Sequence, residues 1–412
     1  MKYDVFAGGS ELLEKLESVS TRHPNQKDDR DYRFFFSQGI SLNTHHDESS
    51  VHVMVDYIVE QTKDYKPAQA SHLNEYKRHI IIIILNLAKC VFNRQWCKIP
   101  LRNNAFGKGN QYNRLSYRHF KRAIDTLERI GFIELIKGAN YSKGASRSVM
   151  QPKSVMGGRA IYAYLESFDV KSEYVAVTGL GANLTDSDER QMKIDRRDMR
   201  LINDFLESHH WAAKSSIQRI YSKEVGRAGR LYCNYQRLPQ RNIPIRQHCL
   251  IDGEPIVEVD IKSSHPRLAV AQVYKKKLPR DFYKAVADAT GVYQGKVKHY
   301  FQNAFSCSSR EVALSSFKKN EPHGDELNFN AVETYARKLY PGLPYYEGWT
   351  VWAMNIEGEI LKQVMLDGVK EGVVALPVHD ALAVQERHEV WARERLTHHW
   401  NAIVGVDACE LG

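Results

Sequence analysis

Two stretches in the second half of the chain constrain its fold most. Residues 257–268 (VEVDIKSSHPRL) and 375–384 (ALPVHDALAV) each put one aspartate at the end of an apolar, β-branched run. Asp260 follows Ile256, Val257 and Val259; Asp380 follows Val373, Val374, Leu376 and Val378. Runs of this kind read as strands of a buried sheet, so both carboxylates are expected at the ends of adjacent strands. Two such carboxylates can hold two divalent ions about 3.5–4 Å apart, an arrangement suited to in-line phosphoryl transfer. Taken singly, either aspartate reads as a strand cap; taken together, the pair points to a metal centre. Glu258 shares strand parity with Asp260 and is either a further carboxylate of that centre or an edge residue.

At 412 residues and 43% hydrophobic composition the chain can build two or three domains with real cores. Its longest apolar run, 80–85 (IIIIIL), is far too short to span a membrane, and the N-terminus (MKYDVFAGGS) lacks the basic and apolar regions of a signal peptide. A cytoplasmic protein with no membrane partner is expected. Six cysteines (Cys90, Cys97, Cys233, Cys249, Cys307, Cys409) include no C-x-x-C pair, which argues against a zinc ribbon or a disulfide scaffold. A formal net charge of +9 fits a polyanionic partner.

Clustering of that charge is more informative. Residues 1–70 are polar and irregular, with a charged patch at 27–33, and are expected to form an arm. Over 71–168 the pattern changes. A helix is predicted over 76–92, then a basic connector over 102–114, then a helix starting at Ser116 as N-cap. In that second helix Tyr117, Phe120, Ile124, Leu127 and Ile130 recur at helical spacing, while Arg118, Lys121, Arg122 and Arg129 lie largely off the stripe. Gly131 ends it. A strand over 132–137, a Gly/Ser/Lys/Arg-rich segment over 138–159 that includes Lys143 and Arg147, and a second strand over 160–165 follow. Helix, basic-faced helix and basic-tipped hairpin form the pattern of a winged helix-turn-helix, with one helix in a major groove and the wing along phosphates. A solvated basic helix in an ordinary α+β domain fits the same pattern. The loop-like stretch 170–189 reads as an interdomain boundary; its Gly179-x-Gly181 lacks the following Lys-Ser/Thr of a nucleotide loop. Helices are expected over 195–208 and 215–221.

The third region, 190–412, carries a family resemblance. Gly229-Arg230-Leu231, the stretch 238–246 (LPQRNIPIR), Asp260 with Ser263, Ser264 and Arg267, and His379-Asp380 occur in the order and spacing of motifs in the family A DNA polymerases, which this chain resembles over roughly 195–390. The resemblance implies that Asp260 and Asp380 hold two Mg²⁺ ions, with Mn²⁺ as a substitute. It implies that Arg230 reaches the minor-groove side of the primer terminus, and that Arg246, Arg267 and His379 line the nucleotide and primer site. Family A enzymes carry an Arg-x-x-x-Lys helix for the triphosphate; here the helix over 295–305 offers Lys298, with Lys296 second, while Gln294 and Ser306 stand where the family has an arginine and a tyrosine. Glu357-Gly358 stands in a Gln-Gly place, and Ala381 replaces a glutamate. His265 occupies the position where the family places a glutamate beside the sugar 2′ carbon. An imidazole there can exclude a 2′-hydroxyl by bulk or bond to it.

The expectation is therefore an α+β chain: a right-hand-like polymerase palm with small fingers over 190–412, a winged-helix DNA-binding domain over 71–168, and an arm over 1–70. Its activity would be template-directed nucleotidyl transfer, with DNA template, primer, nucleoside triphosphates and other replication proteins as partners, in a phage, plasmid or mobile element. A single-subunit RNA polymerase or primase is the first alternative. A non-catalytic replication-initiation protein is the second.

Overall fold

The structure, a computed structural model, describes residues 184–240, 243–320 and 326–412 continuously; before these it describes 4–9, 11–12, 15, 33–35, 38, 40–42, 50–63, 65–67, 69–93, 96–107, 112–139, 147–152, 161, 164–169 and 173–178. Lys143, Asn242, the 27–32 part of the charged patch and Gly179-x-Gly181 lie outside the described residues. Helices and strands mix along the chain, in keeping with the α+β class. The chain forms two compact units, each assembled from separated stretches: 1–172 with 209–216 and 233–256, and 173–208 with 217–232 and 257–412.

In the first unit, α1 (Ser50–Glu60) buries Val51, Met54, Val55 and Ile58, a helical stripe inside the expected arm. The next helix, α2 (Ala70–Asn93), is buried on most sides through its isoleucine run; Ile80, Ile83, Ile84 and Leu85 are fully enclosed. A four-stranded sheet in the order β1-β2-β4-β3 joins β1 (Arg33–Phe35), β2 (Trp96–Ile99), β3 (Ile133–Ala139) and β4 (Arg147–Pro152). β1 runs parallel to β2, and the other pairs are antiparallel. Between β2 and β3 lies α3 (Tyr117–Arg129), which buries Phe120, Ala123, Ile124, Thr126 and Leu127. Gly131, at φ +77°, ends it in a Schellman motif: the amides of Gly131 and Phe132 donate to the carbonyls of Glu128 and Leu127.

The start of α3 departs from the expected cap. Ser116 makes no side-chain capping bond; its amide instead donates to His79 Nε2 at 2.8 Å, which puts the ring proton on Nδ1, 2.7 Å from the Glu75 carbonyl. Burial holds the His79 imidazole down at about 4, so the acceptor stays neutral. Two other expectations change. The partner strand of β3 is β4, at 147–152 rather than 160–165, and within the latter stretch Ile161, Tyr164 and Leu165 are helical, with buried side chains at helical spacing. A second small sheet pairs Ile40–Leu42 antiparallel with Ser167–Asp169, which runs parallel to Lys214–Ser215.

The second unit opens with β5 (Val175–Thr178), inside the stretch read as a boundary loop. Next comes α4 (Asp186–Glu207), begun by a capping box of Thr185 and Asp188 and nine residues longer at its N-terminus than predicted. The predicted helix over 215–221 is a strand, β6 (Gln218–Ser222), which lies parallel to β5 and antiparallel to β7 (Glu224–Tyr232). A second sheet contains β8 (Glu254–Asp260), whose residues 257–260 belong to this unit, with β9 (Ala375–Val378) and β10 (Ala381–Gln385), in the order β8-β10-β9. Between β8 and β9 run α5 (Ser264–Tyr274), α6 (Phe282–Thr290), α7 (Gln294–Ser306), α8 (Arg310–Asn320), α9 (Glu326–Leu339) and α10 (Thr350–Glu371). Phe282, Tyr300, Phe301, Phe305, Phe317 and Phe329 form a mutually packed aromatic core among α6 to α9. The last helix, α11 (Glu389–Val404), buries Ala392, Leu396 and Trp400.

α10 lies against β7 with no room to spare. A Cβ on Gly358 would stand 2.1 Å from the Gly229 carbonyl oxygen, and one on Gly229, itself at φ +60°, 2.5 Å from Asn355 Oδ1. Two glycines thus let strand and helix backbones touch. Nearby, a buried ionic network joins α4, β6 and α10. Arg219 donates to Asp195, Glu359 and Asn355, Lys362 to Asp195, and the Tyr221 hydroxyl to Asp195 at 2.6 Å. Burial opposes ionisation of Glu359, but the charges of Arg219 and Lys362 win and hold it at about 2.

Candidate active site

Asp260 is the last residue of β8, and Asp380 the second residue of the two-residue turn between β9 and β10, where Val378 pairs with Ala381. Because β10 neighbours β8, the two aspartates fall side by side: the amide of Ile261 donates to the Asp380 carbonyl at 3.3 Å. The other turn residue, His379, takes φ +59°, a conformation that costs a non-glycine residue roughly 1 kcal/mol or more. The imidazole is exposed while Asp380 is half-buried, so the turn directs the carboxylate inward. On its other side the end of β8 is held by residues 410–412: Gly412 N–H donates to the Asp260 carbonyl and Lys262 N–H to that of Glu410.

Both carboxylates are held above the ordinary aspartate range, although Asp260 is exposed and Asp380 half-buried. Burial, then the charges of Glu357 and Asp260, push Asp380 up to about 6 against the pull of Arg230. Burial raises Asp260 as well, opposed chiefly by the Lys298 ammonium and assisted by Glu357. Lys298, exposed on α7, is thus the cation that acts most strongly on Asp260. Lys296 is half-buried on the same helix.

Glu357, fully buried on α10, organises the side chains around the pair. Arg230 on β7 donates to its Oε2 through Nε at 3.1 Å and Nη2 at 2.5 Å; the Ser264 hydroxyl donates to Oε1 at 2.5 Å, and His265 Nε2 lies 3.2 Å from Oε1. Burial alone would raise this carboxyl, but His265, Arg230 and Ser264 together hold it at about 2. Arg230, mostly buried, gains a still higher affinity for its proton from Glu357 and Asp380. The Glu357-Gly358 pair therefore faces inward, the glycine against β7 and the carboxylate onto Arg230 and His265. Sequence reasoning placed Arg230, His265 and Glu357 near the site, with Glu357 in a template-contacting place, but not Glu357 as the common acceptor of the other two.

Other predicted residues have different surroundings. Arg267 is fully buried and donates to the carbonyls of Lys262, Leu278 and Ala408, tying the start of α5 to the C-terminal segment. Glu258 is half-buried on β8. Arg246 belongs to the first unit, where it donates to the Gln236 carbonyl. Also in that unit, Arg118 is exposed on α3, Lys121 pairs with Asp125, Arg122 lies over the Tyr65 ring at 4.8 Å, and Arg129 donates to the Gln61 carbonyl. Arg147 begins β4 in the hairpin with β3. One unforeseen neighbour is Tyr283 on α6, which hydrogen-bonds Ser263; burial and, more weakly, the Asp380 charge raise its hydroxyl. A single tyrosine in an amphipathic helix gives no sequence signal for such a role.

Among the described residues, no group of three or more His, Cys, Asp and Glu side chains is disposed to hold a metal ion. The donor set at Asp260 and Asp380 nonetheless suits Mg²⁺, which is held by one or two carboxylates and completes its shell with water and substrate phosphates. Burial first, and then the neighbouring Glu357 charge, raise both aspartates, and a bound cation would oppose both effects. All six cysteines are free thiols, five of them buried, as packing residues should be. No helix among the described residues is long and apolar enough to cross a membrane. No protein-family model matches the chain, and no curated protein shows significant similarity to it.

Proposed function

We propose that the second unit is a template-directed nucleotidyltransferase, a DNA polymerase or primase-polymerase of the family A type, acting in the replication of a phage, plasmid or mobile element. The observation that carries this reading is the meeting of Asp260 and Asp380 at the ends of neighbouring strands, with Glu357 close enough to act on both. Bound there by the two aspartates, Mg²⁺ ions would supply charge neutralisation and an acidified primer hydroxyl. The chain's own residues do the rest. The primer 3′-hydroxyl attacks the α-phosphorus as the bond to pyrophosphate breaks, and Lys298, placed to act on Asp260, offsets charge on the departing phosphates. Glu357 holds Arg230 and His265 in fixed orientations beside the pair, which suits one side chain to the primer terminus and the other to the sugar. The basic-faced helix α3 and the β3–β4 hairpin are read as a winged helix that brings DNA to the enzyme.

His265 spends Nε2 on Glu357, which favours the imidazole as a fixed steric element over a partner for a 2′-hydroxyl. Extension of a labelled primer with dNTPs and NTPs tests both the activity and the sugar choice. The wild type is expected to extend with dNTPs in Mg²⁺, and His265→Ala to raise NTP use relative to dNTP use. Absence of templated extension with either nucleotide set refutes the enzyme reading. An NTP preference lost in the alanine variant would favour the RNA-polymerizing alternative.

A further inference from the structure

In its middle, from 190 to 201, α4 separates its charges by face. Its two central acids, Asp195 and Asp198, point inward; Asp195 is fully enclosed with Arg219 and Lys362, and Asp198 lies 3.5 Å from the Lys362 ammonium. The exposed positions from 190 to 201 are Arg190, Lys193, Ile194, Arg196, Arg197, Arg200 and Leu201: five cations, two aliphatic residues and no acid. A merely solvated helix usually mixes signs and closes i,i+4 pairs. This one has Asp186, Glu189 and Asp204 at four-residue spacing from Arg190, Lys193 and Arg200, yet among the described residues those three cations make no ion pair. Arg197 bonds the adjacent Asp198, and Arg196 lies 3.9 Å from Glu189. With about 100° between successive residues, Arg190, Lys193, Arg197 and Arg200 share one face, about 15 Å long at 1.5 Å per residue.

We infer that this face of α4 binds the phosphodiester backbone of duplex DNA. Burial of Asp195 and Asp198 leaves the middle of the helix without a surface acid, and although Asp186, Glu189 and Asp204 are exposed toward its two ends, Arg190, Lys193 and Arg200 make no ion pair among the described residues and can meet a polyanion. A duplex is chosen over a single strand because the exposed positions between 190 and 201 include no aromatic side chain, and single-strand sites rely on aromatic platforms for stacking. The inference goes beyond the proposed active site and rests on that reading only in taking DNA as the partner.

The test compares the full-length wild type with a triple variant, Arg190→Gln, Lys193→Gln and Arg200→Gln, in binding of a labelled primer–template duplex across a salt series. Each phosphate contact contributes about 0.9 to the slope of log affinity against log salt, so the triple variant is expected to lose about three units of slope. Extension from saturating primer–template should keep its wild-type rate. An Arg190→Lys, Arg200→Lys variant should keep the wild-type slope. If the triple variant melts lower than wild type, Arg190→Gln and Arg200→Gln singly should each still lose about one unit. An unchanged slope in a wild-type background that extends primers overturns the inference and leaves the polymerase reading intact. A reduced slope in a protein that extends no primer upholds the inference and removes that reading. A loss confined to single-stranded DNA overturns the choice of duplex.

Discussion

Asp380 is the residue whose titration reports most on the site. Its carboxyl, pushed up to about 6, is ionised at neutral pH and protonated below that value, so a proton and a divalent cation compete for it. The Mg²⁺ concentration for half-maximal primer extension should therefore rise as pH falls through about 6. Glu357→Gln removes one of the charges that raise Asp380, so this rise should move to lower pH; a profile that stays in place or moves upward contradicts the assignment. The stability signs follow from the same values. The Asp380 contribution is present below the ordinary aspartate range and lost as pH rises through about 6, whereas that of Glu357 is present above the ordinary glutamate range and lost as pH falls toward about 2. Asp260 and Asp380 were legible in the sequence because each closes a β-branched run. Glu357 was not legible in its role, because its partners Arg230 and Ser264 are 127 and 93 residues away and only tertiary packing brings them together.

At the scale of elements, errors fell where a buried polar residue or an irregular lead-in disguised the period. At β6 and the residue before it, Ile217 and Ile220 with Tyr221 suggest helical spacing, yet Ile217, Arg219 and Tyr221 are the buried set, with the period of a strand. A buried arginine hides that alternation, and Asp195 and Glu359, which make it tolerable, lie on other elements. The stretch 160–165 failed the opposite way: β-branched and aromatic composition suggested a strand, while the buried Ile161, Tyr164 and Leu165 have helical spacing. The glycine contact between β7 and α10 has a direct consequence. Gly358→Ala puts a methyl group into the Gly229 carbonyl, forcing α10 off β7 and moving Glu357 away from Arg230. Such overpacking is expected to cost about 1–3 kcal/mol and to depress extension more than duplex binding. A melting temperature and a rate both equal to wild type would show that the backbone contact is unimportant.

For the whole molecule, the decisive feature is that the two units interleave along the chain. Residues 209–216 and 233–256 lie within the second half of the sequence but complete the first unit, where Trp211 pairs with Ile251 and Ser215 with Asp169. Hydrophobic patterning reveals local elements, not which distant segments complete each core, so the sequence suggested consecutive domains. A fragment 173–412 should accordingly unfold at lower temperature than the full chain and aggregate, since it keeps those two segments without the rest of their unit; a fragment that melts with full-chain cooperativity refutes the interleaving. The central claim, that the paired aspartates form a nucleotidyl-transfer centre, is tested most directly by primer extension in Mg²⁺ with Asp260→Ala and Asp380→Ala, alongside duplex binding by the same variants. Both substitutions are expected to abolish incorporation and leave DNA affinity near wild type, because each removes a metal-binding carboxylate and no phosphate contact. Extension at the wild-type rate by either variant would contradict the account.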